Sequence, residues 1–182
     1  MALILTDTVQ DDRSTQDIRK SPLSFQIRSA NQEDIEMLSE LWIYHRQHHE
    51  QWDDLYTTIS SAQQKWKEQL ELYLNQSNHC VLVAEDLLGN ILGYVHGSFH
   101  PWPTSPFQVY GSLNSITVLE DVQGKGIGKN LIKKLLEWFK IHQIQNISLH
   151  VDFRNEIALN LYQKVGFRPY QHRLMLRLTT DS

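Results

Sequence analysis

The chain has 182 residues, 41% of them hydrophobic, which suits a single packed domain. A formal charge of −4 argues against a nucleic-acid binder, and no apolar run approaches the ~18 residues of a membrane span. The lone cysteine, Cys80, excludes an internal disulfide and fits a reducing, cytoplasmic setting.

The opening M-A-L-I-L-T-D-T lacks the basic n-region of a secretory signal, and D-T-V-Q-D-D-R-S-T-Q-D that follows is polar and aperiodic. Residues 1–22 therefore read as an N-terminal tail and 23–182 as the folded domain. F-Q-I-R (Phe25–Arg28) alternates and predicts a first strand. Asn31 is placed to cap a helix, with Asp34 three residues on completing an imperfect capping box. Behind it Ile35, Leu38, Leu41, Trp42 and His45 recur at helical spacing, and a second helix is expected from Ser60 to Leu74.

The period then changes to two. C-V-L-V-A-E-D (Cys80–Asp86) and I-L-G-Y-V-H-G-S-F (Ile91–Phe99), joined near Gly89-Asn90, predict a hairpin. H-P-W-P-T-S-P (His100–Pro106) cannot be a central strand, because each proline removes a ladder donor. A strand over Tyr110–Leu119 leads into a helix from Gly126 to Ile141, whose stripe is Ile127, Leu131, Ile132, Leu135, Leu136 and Phe139. Ile147–Phe153 reads as a strand and Glu156–Val165 as a short helix stopped by Gly166. Phe167–Leu178 reads as a last strand. The order β-α-α-β-β-β-α-β-α-β predicts one mixed α/β sheet with helices on its faces.

Between the fourth strand and its helix lies V-Q-G-K-G-I-G-K-N (Val122–Asn130), with glycine at every second position. Glycines without Cβ let the backbone curl with its N–H groups inward, at a helix N-terminus whose dipole and unpaired donors favour an anion. Lys125 and Lys129 add cationic charge. The physical expectation is a phosphate or pyrophosphate. A dinucleotide fingerprint fails because Gly128 follows Gly126 one residue too early, and a P-loop fails at Gln123 and Asn130.

Gln123-x-x-Gly126-x-Gly128 after I-T-V resembles the acyl-coenzyme A loop of the GNAT superfamily of N-acetyltransferases. L-H-V-D-F-R-N-E-I-A-L-N-L-Y-Q-K-V-G-F (Leu149–Phe167) is similar to that superfamily's second signature, a strand and helix carrying Asn, Ala, Tyr and Gly-Phe. The order of elements agrees from Phe25 to Leu178. The resemblance implies a mostly antiparallel sheet splayed in the middle, with acetyl-CoA as co-substrate and no metal. It implies that the main chain of Ile116, Thr117 and Val118 holds the pantetheine arm. Gln123, Gly124, Lys125, Gly126, Ile127, Gly128 and Lys129 would wrap the pyrophosphate. Asn155 would cap the last helix, contact the cofactor, or do both.

The resemblance also places Tyr162 as the general acid that protonates the leaving thiolate. The base is less directly given. Relatives with a carboxylate on the strand before the loop find Asn114 and Ser115 here, and in ribosomal-protein N-terminal acetyltransferases a Glu stands where this chain has His150. An imidazole titrates near neutrality, so His150 is the expected base, with His96 a second choice. His45–Glu50 (H-R-Q-H-H-E) lacks the order of a zinc helix and reads as the polar end of the first helix.

The acceptor wall is expected from Leu41–Tyr56 and His100–Val109, aromatic stretches edged by Glu50, Asp53 and Asp54, which suits a small cationic amine. The alternative acceptor is a protein N-terminus, as in the ribosomal-protein enzymes, and the alternative function is a non-catalytic acyl-CoA-binding module. Homodimers are common in the superfamily, but nothing in the sequence locates an interface.

Overall fold

The computed structural model describes residues 23–178, so the N-terminal tail expected over 1–22 lies outside the described residues. Five strands form one sheet in chain order: β1 Phe25–Ser29, β2 His79–Asp86, β3 Ile91–Trp102, β4 Gln108–Val118 and β5 Ile147–Leu149. The first four pair antiparallel and β5 joins β4 parallel, reached through a helical crossover. Among the described residues four α-helices flank the sheet: α1 Ile35–Glu50, α2 Ala62–Leu74, α3 Ile127–Ile141 and α4 Glu156–Lys164.

Local chemistry accounts for these boundaries. Asn31 and Asp34 form the capping box, opening a short 3-10 turn that runs on into α1. Arg28 ties the three nearby segments together, donating to Asp34 at 2.7 and 2.9 Å and to Glu85 at 3.0 Å. Alternation along the strands divides the interior in two. Val81, Val83, Ile91 and Tyr94 meet Leu38, Leu41 and Leu70 on the α1/α2 face, while Leu82, Ala84, Leu92, Val95 and Leu113 meet α3 on the other. The α3 stripe is as predicted: Leu131, Ile132, Leu135 and Phe139 are completely buried, each worth roughly 1.5–3 kcal/mol of transfer free energy.

Three sequence expectations change. The third strand continues through Pro101 to Trp102. Proline is tolerated because β2 accompanies β3 only as far as Ser98, so Pro101 lies on an edge. β5 stops at Leu149 instead of Phe153. Asp152 accepts from the Arg154 backbone N–H at 3.0 Å and its carbonyl accepts from Asn155, so a side-chain-capped turn replaces the ladder. The last strand expected over Phe167–Leu178 is not formed, and its side chains Leu174, Leu176 and Leu178 are exposed. A strand needs an edge to pair with, and β5 offers three residues only.

Candidate active site

The short β5 creates the site. It pairs with β4 only from Gly111↔Ile147 to Leu113↔Leu149, so among the described residues no strand lies beside the outer edge of β4 from Asn114 to Val118. Alternation decides which groups face this gap. The Leu119 N–H donates to the Leu92 carbonyl at 3.0 Å, which turns the main chain of Thr117 toward β3 and that of Ile116 and Val118 outward. The sheet edge thus presents the N–H and C=O of Ile116 and the N–H of Val118, the Val118 carbonyl being taken by the Gln123 side chain, an arrangement an extended amide-bearing ligand pairs with.

The glycine loop stands at the end of that edge. Gly124 and Gly126 have φ of +76° and +88°, conformations open to glycine, with Lys125 between them. Among the described residues no N–H from Gly124 to Lys129 donates to a backbone carbonyl; the first to do so is Asn130, to Gly126 at 3.1 Å. These unpaired amides lie at the N-terminus of α3, where the helix dipole also favours an anion. An added Cβ at Gly124 would meet nothing within 4 Å, so the cradle is open. At Gly128 a Cβ would come within 3.1 Å of Leu161 and 3.7 Å of Ile116 and Val118, because the start of α3 seats between β4 and α4. Gln123 donates its side chain to the Val118 carbonyl at 3.1 Å, fastening loop to strand.

The far side of the gap is α4. Asn155 caps it, accepting from the Ala158 N–H at 3.0 Å. Tyr162 is 7% exposed within the α3-side core and rests edge-on against Phe167. Burial pushes its phenol up to about 12, so it is protonated at neutral pH. His150 lies exposed immediately beyond β5.

α1 bridges the two sides on the opposite face. Tyr44 reaches Glu120, just past β4, at 3.3 Å, and Trp52 accepts from Arg154, between β5 and α4, at 2.5 Å. Beneath its C-terminal end the rings of His49, Trp52 and Tyr56 are in contact. Beside them Asp53 and Asp54 hold the guanidinium of Arg177 over a groove of about 350 Å³, lined also by Trp52, Leu55 and Met175.

A second polar cluster was not foreseen as a unit. β4 carries a bulge at Asn114, since His96 pairs with Ser115 and Gly97 with Leu113. Asn114 donates to Ser98 Oγ at 2.8 Å and lies 3.4 Å from His96 Nε2; His96 Nε2 is 2.9 Å from His79 Nδ1, and Ser98 Oγ is 2.9 Å from His100 Nε2. Tyr73 of α2 stacks on His79 and tilts over His96. The signal was present in H-G-S-F-H, which puts His96, Ser98 and His100 at every second position of a strand otherwise rich in apolar residues.

Two imidazoles are strongly perturbed. Burial, aided by neighbouring histidines, lowers His45 and His96 from 6.5 to about 3. Unfolded, both charge near pH 6.5, so between that value and pH 3 the unfolded chain binds more protons than the folded one. Stability is then complete above about pH 6.5 and falls progressively as the pH drops toward 3. Urea midpoints at pH 7.5, 5.5 and 4.5 are expected to decline in that order; equal midpoints would remove the neutral-imidazole assignment.

Among the described residues, an unpaired β4 edge runs into a loop of amides without backbone acceptors, an arrangement whose chemistry suits an extended anionic ligand. Residues 36–167 match the family described as acetyltransferase (GNAT), and the chain belongs to that family. It is 42% identical over 60 residues to YobR of Bacillus subtilis, described as an uncharacterized N-acetyltransferase, covering 33% of this chain and 24% of that protein. It is 30% identical over 89 residues to an L-methionine sulfoximine/L-methionine sulfone acetyltransferase of Pseudomonas aeruginosa, covering 48% of this chain and 49% of that one. The chain thus spans half or less of the length of these curated relatives. A Clostridium acetobutylicum protein described as a predicted acetyltransferase, solved with acetyl-CoA, superposes with a TM-score of 0.70 at 18% identity, over 85% of this chain and 96% of its own, which is a likeness of fold.

Proposed function

We propose that the chain is an acetyl-CoA-dependent N-acetyltransferase that moves the acetyl group directly to a small cationic amine. The observation that carries this is the run of N–H groups from Gly124 to Lys129 without backbone acceptors, continuous with the open edge at Ile116 and Val118. The residues present fit acetyl-CoA: a donor-lined, sterically open cradle for the diphosphate, and the outward main-chain groups of Ile116 for the pantetheine amides. When bound, the cofactor supplies an activated thioester. Gln123 keeps cradle and edge in register, and Asn155 presents α4. The Val118 N–H faces the gap and serves as donor to the developing oxyanion. Tyr162 serves as the acid. On the sequence reading His150 is the base.

The acceptor approaches from the α1 side. The carboxylates of Asp53 and Asp54 already engage one cation, Arg177, beside the rings of Trp52 and Tyr56, and that chemistry suits an ammonium. Asp53→Asn with Asp54→Asn is expected to raise KM for cationic amines at least fivefold and leave neutral amines unchanged in steady-state assays. Equal effects on both would remove the acidic rim from recognition.

The function itself is tested by incubating the chain with acetyl-CoA and a panel of spermidine, kanamycin, lysine, methionine sulfone and N-terminal peptides, reading product mass. An acetylated cationic small amine is expected. Acetylation of peptide N-termini alone would move the chain to the N-terminal class. A raised melting temperature with no product would make it an acyl-CoA-binding module.

A further inference from the structure

A proton has to leave this site, and β4 offers no carboxylate to take it. An ammonium acceptor, R–NH3⁺, gives up two protons as its nitrogen bonds the acetyl carbon and the C–S bond breaks. One ends on the coenzyme A sulfur by way of Tyr162, which regains a proton from the reacting nitrogen. The other must reach solvent. The sequence nominates His150, but the structure holds a second imidazole much more firmly.

The α1/α2 face of the sheet is apolar near β1 and polar near the gap. Thr117, Ser115 and Asn114 on β4 lie beside Tyr94, His96, Ser98 and His100 on β3, and these beside His79 on β2. Burying so many polar groups on the inner face of a sheet is costly unless they act together. Thr117, Ser98 and His96 are all buried, and Tyr94 is fully enclosed. The Tyr94 hydroxyl and Thr117 Oγ1 have no hydrogen-bond partner among the described residues. Register sets Thr117 opposite Tyr94 and Ser115 opposite His96 on this face, and burial pushes the Tyr94 phenol up to about 12.

We propose that this row is the exit path for the acceptor's proton, entered at the Ser115 hydroxyl, which stands opposite His96, relayed by His96 and released through His79. A single proton occupies the 2.9 Å line between His96 Nε2 and His79 Nδ1. A proton arriving at His96 Nδ1 displaces that shared proton onto His79, and His79, half-buried at the start of β2, loses one from Nε2 to water. The groups facing the pair are His100 and Tyr94 from β3, Tyr73 from α2, and Asn114 and Ser115 from β4. No carboxylate or cationic side chain is among these contacts. His96 is accordingly neutral at pH 7, its pKa held at about 3 by burial and by His79, so it passes a proton on and does not store it. Burial and His100 lower His79 in the same direction.

The proposal rests on amine acetylation and deepens it. The test takes the full chain, acetyl-CoA and whichever panel amine is turned over fastest, and compares His96→Gln, His79→Gln and His150→Ala over pH 6–10. The rim position of His79 keeps the test valid even where the buried His96 variant fails to fold. Acetyl-CoA binding, read as a rise in melting temperature, is measured on each. Both glutamine variants are expected to lose at least tenfold in kcat/KM at pH 7 and to come within twofold of the parent at pH 9.5, where the free amine and hydroxide need no relay. A loss of the same factor at every pH, or unchanged profiles, overturns the row. A profile altered in His150→Ala alone gives the proton to His150 and overturns it too. An intact chain that binds acetyl-CoA yet acetylates no amine overturns the transferase reading, and the row with it.

Discussion

Gly124→Asp is expected to abolish acetyl-CoA binding while leaving the fold intact. Gly124 adopts φ of +76°, a conformation that Asp tolerates better than most residues, at a cost of about 1 kcal/mol. A Cβ there meets nothing within 4 Å, so the new side chain displaces no protein atom. Its carboxylate enters the space enclosed by the amides of 124–129. Two like charges ~4 Å apart at an effective dielectric of ~20 repel by about 4 kcal/mol, which corresponds to roughly a thousandfold in affinity. Calorimetric titration with acetyl-CoA should show at least a hundredfold loss, with the apo melting temperature changed by a few degrees only. Binding within threefold of the parent would mean that the diphosphate lies elsewhere. Gly126→Val is less informative, because a β-branched residue at φ of +88° is strained and confounds folding with binding.

Tyr162→Phe is expected to keep acetyl-CoA affinity within about twofold and to lower kcat at least tenfold, the lower end of general acid catalysis. The departing thiolate has a conjugate acid of pKa ~8.5 if cysteine is the guide, so unaided departure at neutral pH is slow enough for a proton donor to matter. Tyr162 can donate over the whole working range, since burial raises its phenol to about 12. The sign follows directly: no descending limb from Tyr162 is expected below about pH 11. The ring stays in the core against Phe167 after substitution, so stability should change little. Turnover near the parent level would remove Tyr162 from the chemistry.

Much of the fold was legible because it is local. The 3.6-residue stripe of α3, the period-two runs of β2 to β4 and the glycine turn are each written in consecutive residues, and the structure follows them within a few positions. The tight backbone at Gly124 and Gly126 was legible for the same reason, since these glycines carry their own conformational freedom. What depends on pairing was not. Ile147–Phe153 alternates cleanly, yet Asp152 captures the Arg154 N–H and ends the strand, which is what opens the gap. Phe167–Leu178 also alternates in part and finds no edge to join. The polar row needs a bulge at Asn114 and the register of three strands, and sequence spacing alone cannot bring His79 to His96 across 17 residues. Arg177 against Asp53 and Asp54 is likewise a contact between distant segments, invisible to any local pattern.

A crystal structure of the chain with acetyl-CoA tests the central claim most directly. Diphosphate oxygens within about 3 Å of the amides between Gly124 and Lys129, with pantetheine amides paired to the outward groups of Ile116 and the thioester oxygen at the Val118 N–H, are the predicted result. A complex whose diphosphate lies away from those amides, or whose thioester stands on the α1 side of an intact β4 edge, contradicts it.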